Sequence, residues 1–162
     1  VARALIVGCG CRGRSLGARL AAEGWAVRGT SRDHGRTGAI EAAGIEPAVA
    51  DPERPGTVLD LIGDVAVVHW LLGSLRSEPD VEQAIHGRRL ERLLEKLVES
   101  PVRGFVYEAA GGVEAANLER GAGFVRAAAE TWRIPVEIVG TDPADHDAWL
   151  AAMVAATQRL VA

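Results

Sequence analysis

The chain has 162 residues, a net charge of -4, 48% hydrophobic and 25% charged residues, the proportions of one ordinary globular domain. The acidic balance argues against a nucleic-acid binder, which needs a basic face, and no apolar run approaches the ~20 residues of a membrane span. Cys9 and Cys11 are too close to staple a fold, nothing from Val1 to Val7 resembles a leader, and a cytoplasmic location is expected.

Short β-rich runs alternate with helical patterns along the whole chain, the signature of βαβ units and a parallel sheet. Ala4 to Val7 is a first strand stopped by glycines. Arg14 to Glu23 predicts a helix with Leu16 and Leu20 on one face and Gly24 as its stop. Trp25 to Thr30 follows as strand two, Thr37 to Ala43 as a short helix, and Pro47 to Ala50 as strand three. Pro55 to Leu61 predicts another helix. Val65 to Leu72 is apolar on both faces, as a central parallel strand should be. A single long helix is expected over Val81 to Glu99, where Leu90, Leu93, Leu94, Leu97 and Val98 share one face. Val102 to Tyr107 is strand five, Asn117 to Trp132 a helix, and Pro135 to Val139 strand six. A last helix begins at Asp145, an N-cap candidate. Six strands in this arrangement predict a single-domain α/β fold over residues 1–162. It is a three-layer, doubly wound parallel sheet in the order 3-2-1-4-5-6, with its ligand crevice beside strand one.

Gly8-Cys9-Gly10-Cys11-Arg12-Gly13 matches G-x-G-x-x-G between a strand and a helix, the context that marks a Rossmann dinucleotide site. Gly8 permits the tight turn, Gly10 admits a pyrophosphate to the backbone, and Gly13 lets the helix pack on the sheet. The dipole and free N–H groups of the helix then face the phosphates. Cofactor choice is read at the end of strand two, where NAD-type sites carry an acid. Here Thr30 and Ser31 are neutral and Arg32 follows, a hydroxyl and a guanidinium suited to the 2′-phosphate of NADP. Arg12 can reach the same phosphate. Asp33 is the residue that would favour NAD after a small shift of register.

Other residues carry two readings each. Cys9 and Cys11 are a redox or metal pair, or small side chains in a tight turn; two ligands alone make no metal site. His69, beside Trp70 in strand four, is a replacement proton donor or a core histidine. Glu108, after Tyr107 at the ligand-binding edge, is the best-placed acid if chemistry survives. Asp142, Asp145, His146 and Asp147 are a metal cluster or the capped first turn of a helix.

Four segments, ALIVGCGCRGRSLGARLAAEGWAVRGTSR, AVADPERPGTVLDLIGDVAVVHWLLGS, RRLERLLEKLVESPVRGFVYEAAGG and GFVRAAAETWRIPVEIVG, together resemble the extended and atypical short-chain dehydrogenase/reductases. This group includes NAD-dependent epimerase/dehydratase-like proteins. The resemblance implies that Ala50 and Asp51 flank the adenine, that Leu71, Leu72 and Gly73 line the adenosine ribose, and that two helices pair in a homodimer. It also implies a Tyr-x-x-x-Lys dyad and a Ser after strand five, and these are missing. The one lysine, Lys96, precedes the one tyrosine, Tyr107. Ala115 and Glu119 stand where the dyad belongs, Ala109 and Ala110 where the Ser belongs, and the family's substrate-covering subdomain is expected to be missing. A missing proton donor alone costs about 10²–10⁴ in rate. Three functions follow as expectations. The first is an NADP(H)-binding sensor, regulator or partner subunit without the catalytic triad. The second is a small oxidoreductase or epimerase-like enzyme using Glu108 or His69. The third is a scaffold that binds nothing.

Overall fold

The computed structural model describes residues 1–162. In chain order it runs β1 (Arg3–Val7), α1 (Cys11–Ala22), β2 (Ala26–Ser31), a 3-10 turn (His34–Arg36), α2 (Thr37–Ala42) and β3 (Glu46–Val49). It continues with α3 (Pro55–Leu59), β4 (Val67–Trp70), α4 (Pro79–Ile85), α5 (Arg88–Leu97), β5 (Gly104–Glu108), α6 (Ala115–Trp132), β6 (Val136–Val139) and α7 (His146–Val161). All six strands are parallel, in the order β3-β2-β1-β4-β5-β6. No helix is long and apolar enough to cross a membrane.

The alternation of side chains along each strand divides the interior into two cores. Leu5, Val7, Val68, Trp70, Phe105 and Tyr107 point toward α3, α5 and α6. Ala4, Ile6, Val67 and Val106 point toward α1, α2 and α7, where they meet Leu16, Leu20, Ile40, Trp149 and Met153. The central strands are apolar on both faces because helices cover both. At the N-terminal edge of the sheet, Arg28 forks between Glu46 (2.7 Å) and Asp64 (2.8 Å), and Arg3 joins the same two carboxylates.

Three expectations need correction. First, α1 begins at Cys11, three residues before Arg14, because Gly10 is its N-cap; the second half of the glycine turn is already helix. Second, the predicted helix over residues 81–99 is broken. α4 ends at Ile85 and α5 starts at Arg88, with Gly87 as its N-cap. A Cβ on Gly87 would come within 2.6 Å of the Gln83 carbonyl oxygen, so the tight reversal there needs glycine. Third, Val98 lies past the end of α5 and is 51% exposed, while Leu90, Leu93, Leu94 and Leu97 form the buried face.

Candidate functional site

The C-terminal ends of the strands open onto a cleft of about 790 Å³ beside β1, where the sheet order reverses direction. Its floor is the glycine turn. Gly8 sits at φ +85°, and a Cβ there would lie 2.6 Å from the Leu71 carbonyl oxygen; only glycine fits. Above Gly10 nothing lies within 4 Å of a Cβ position, so bare backbone faces the cleft. Thr30 is buried and holds the turn from below: its Oγ1 accepts from Gly8 N (3.3 Å) and its carbonyl oxygen from Cys9 N (2.8 Å). The N–H groups of Cys11, Arg12 and Gly13 open the helix and have no intrahelical acceptor. No side chain caps them, and the first turn carries no acid. Such an end is built to receive an anion.

A Cβ on Gly13 would lie 3.2 Å from the Gly8 carbonyl oxygen, but the tighter helix–sheet contact is at Gly17, where a Cβ would collide with Ile45. Cys9 is buried against Gly29, and burial pushes its thiol up to about 12. Cys11 is exposed. The two thiols therefore occupy different environments.

Five arginines, Arg12, Arg14, Arg32, Arg36 and Arg76, line the cleft with only two carboxylates, Asp33 and Glu108. Arg12, Arg14, Arg32 and Arg76 enter no ion pair, and Arg36 meets Asp33 only at 3.8 Å. Asp33 is turned to its own backbone: Oδ1 accepts from Gly35 N (2.8 Å) and caps the 3-10 turn. Ser31 Oγ accepts from Asp33 N (3.1 Å). Asp33 thus shapes the end of β2, while Arg32 stays free.

Of the expected contacts, Gly8, Cys9, Gly10, Cys11, Arg12, Gly13, Thr30, Ser31, Arg32, Ala50, Leu71 and Leu72 come together around the cleft. Asp51 and Gly73 are not among its lining residues. Asp51 N donates to Thr57 Oγ1 (2.9 Å) and Asp51 Oδ1 accepts from Glu53 N (2.9 Å), so Asp51 shapes the entry to α3 and Pro52 takes its place at the cleft. Gly73 is buried, its N–H donating to Glu108 Oε1 (2.9 Å); a Cβ there would collide with the Ala110 carbonyl oxygen.

His69 does not line the cleft. Strand alternation turns it into the core under α7, where it shares a hydrogen bond with Thr157 Oγ1 (2.8 Å) and is fully buried. Burial holds it down at about 4. Tyr107 likewise faces away from the cleft. Its hydroxyl lies 2.7 Å from His86 Nδ1, and His86 Nε2 lies 2.9 Å from the Leu72 carbonyl oxygen. That carbonyl can only accept, so neutral His86 carries its proton on Nε2 and takes the tyrosine proton at Nδ1. Burial pushes the Tyr107 hydroxyl up and the His86 imidazole down. Lys96, Ala115 and Glu119 are exposed on α5 and α6.

Glu108 does reach the cleft, at the end of β5. It is 3% exposed. Oε1 accepts from Gly73 N and Oε2 from Trp149 Nε1 (2.8 Å). Burial pushes this carboxyl up, opposed by the two N–H donors and by the Arg12 guanidinium. Asp145 caps α7 by accepting from Ala148 N (3.3 Å), Asp142 Oδ1 accepts from Ala144 N (2.9 Å), and His146 stacks on Trp149. Sequence reasoning missed Arg14, Arg36, Pro52, Ser74, Leu75, Arg76 and Trp149. Arg36 was within reach, one helical turn beyond Arg32; Trp149 comes from a distant helix and leaves no local signal.

No protein-family model matches the chain, and no curated protein matches it. Solved structures do. A mutant UDP-glucuronic acid 4-epimerase from Bacillus cereus, with a fluorinated UDP-glucuronic acid and NAD, superposes with a TM-score of 0.67 at 17% identity, covering 84% of this chain and 55% of that one. UDP-glucose 4-epimerase from Thermotoga maritima, with UDP-glucose, gives 0.69 at 12% identity, over 84% and 54%. A putative NAD-dependent epimerase/dehydratase from Bacillus halodurans gives 0.72 at 15% identity, over 88% and 71%. The likeness is one of fold, the Rossmann-like α/β sheet, and the chain spans about half the length of the two sugar-nucleotide epimerases.

Proposed function

We propose that this chain is an NADP(H)-binding Rossmann domain without the short-chain-dehydrogenase triad, acting as a sensor, regulator or partner subunit. The observation that carries the reading is Arg32, unpaired at the end of β2, with Arg36 beside it and the Asp33 carboxylate turned to the backbone. A 2′-phosphate carries about two negative charges near neutrality, and a guanidinium can fork onto two of its oxygens. An NAD-type ribose would instead want a free acid there. The bare N–H groups of Cys11, Arg12 and Gly13 suit a pyrophosphate, and the open space above Gly10 lets it approach.

The test is calorimetric titration with NADPH, NADP⁺, NADH and NAD⁺. Micromolar affinity for the phosphorylated pair is expected, weakened about ten- to hundredfold in Arg32→Ala, the size of one charge-assisted contact. Equal affinities for NADH and NADPH would remove the NADP assignment, and no binding at all would leave only a scaffold. A second reading, a small NADP-dependent oxidoreductase, rests on Glu108 in the cleft. It predicts NADPH oxidation with a carbonyl substrate, abolished in Glu108→Gln. Glu108 is 3% exposed and each of its oxygens is already held by an N–H donor, from Gly73 and from Trp149, which favours the first reading.

A further inference from the structure

The cleft has unlike ends. Arg32 and Arg36 follow β2, on one side of β1; Glu108 ends β5, beyond β4 on the other. With neighbouring strands about 4.8 Å apart, the two ends stand roughly 14 Å from each other. A dinucleotide with its adenosine ribose at the end of β2 and its pyrophosphate over the glycine turn extends its second ring toward β4 and β5. That ring is the part whose charge changes on redox: the oxidised pyridinium carries a positive charge and the reduced dihydropyridine is neutral.

Glu108 is the one carboxylate at this end of the cleft. It cannot swing away, because Gly73 N–H from the β4 loop and Trp149 Nε1–H from α7 each hold one oxygen. Those donors stabilise the ionised form without cancelling its net charge. Tyr107, its chain neighbour, points to the opposite face of the sheet. The group that opposes it is Arg12, on the first turn of α1, which is half-buried and makes no ion pair or hydrogen bond through its side chain. A fixed carboxylate buried in protein acts through a lower effective dielectric than a guanidinium that reaches into solvent and is screened by salt. A ring extended toward β5 therefore meets a fixed carboxylate at Glu108, with Arg12 opposing it and Arg76, from the loop after β4, the other cation on that side of the cleft.

We propose that Glu108 makes this cleft selective for the oxidised dinucleotide, so that the protein reads the redox state of the pool. The inference rests on the dinucleotide reading above and gives the sensor something to sense. It also gives the carboxylate a role in recognition that requires no turnover.

The experiment is calorimetric titration of the full chain with NADP⁺ and with NADPH, at pH 7.5, on the wild type, Glu108→Gln and Arg12→Gln. The wild type is expected to bind NADP⁺ about tenfold more tightly, the scale of one partly screened charge pair. The ratio should collapse toward one in Glu108→Gln and widen in Arg12→Gln, which removes the opposing charge. Equal affinities in the wild type, or a ratio that survives Glu108→Gln, would overturn the proposal while leaving dinucleotide binding intact. A ratio that narrows in Arg12→Gln would overturn it too, and that variant keeps the test decisive if Glu108→Gln fails to fold. Absence of binding for both forms would instead remove the dinucleotide reading on which the proposal stands.

Discussion

At the scale of single residues, the cleft depends on a few positions that tolerate almost nothing else. Gly8→Ala would place a methyl 2.6 Å from the Leu71 carbonyl oxygen at a backbone φ of +85°, so both strain and collision act together. The expected cost is about 1–3 kcal/mol of stability, with dinucleotide binding abolished; chemical denaturation and titration of the same sample check both. Glu108 is equally constrained, for a different reason. Glu108→Ala leaves the buried N–H groups of Gly73 and Trp149 without acceptors, each such loss costing about 1–3 kcal/mol. Glu108→Gln restores one acceptor oxygen and should recover part of that loss in a urea melt. Equal destabilisation by the two variants would argue against the bracket.

At the scale of elements, the break between α4 and α5 is the feature that ties the cleft to the core. It allows His86 to turn inward and join the Leu72 carbonyl to Tyr107 near the C-terminal end of β5. His86→Leu should cost about 1–3 kcal/mol by stranding the buried carbonyl, and amide exchange should quicken in the Leu71–Gly73 segment ahead of β4 itself. The strand order, the glycine turn and the helix N-cap at Asp145 were all legible in the sequence, because each is written locally in apolar runs, glycines and a capping acid. The break was not. The leucine period continues across it, and the signal against a single helix was one glycine, Gly87, which costs a helix only about 1 kcal/mol by itself. Strand alternation was legible too, yet its consequence for the site was not: whether His69, Tyr107 or Glu108 faces the cleft depends on strand register. His69 and Glu108 lie on the same face of the sheet, but His69 sits below the strand ends, under Thr157, whereas Glu108 closes its strand and reaches the opening.

At the scale of the whole molecule, the buried histidines set the response to acid. His69 is held down at about 4 by burial, from an ordinary value of 6.5, and His86 shifts in the same direction. A depressed histidine favours the fold only while it is neutral. Its contribution is fully present above pH 6.5 and is lost as pH falls toward 4, on the order of 3 kcal/mol for His69. Glu108 works with the opposite sign: burial raises it, so its contribution is present in acid and is lost as pH rises through its folded value. Thermal melts should therefore show the midpoint falling between pH 6.5 and 4. His69→Gln, which keeps a polar partner for Thr157 but cannot titrate, should flatten that fall. An unchanged slope in the variant would assign the acid sensitivity to other groups.

Trp149 gives the protein an internal optical gauge. Of its four tryptophans, Trp149 alone lines the cleft, with its indole N–H on a carboxylate 2.8 Å away and the His146 ring stacked on it. The emission of an indole shifts with the charge beside it, so filling the cleft, or neutralising Glu108, should change both colour and intensity. A ligand-dependent signal that disappears in Trp149→Phe would turn the brace that fixes Glu108 into a direct report of what the cleft holds.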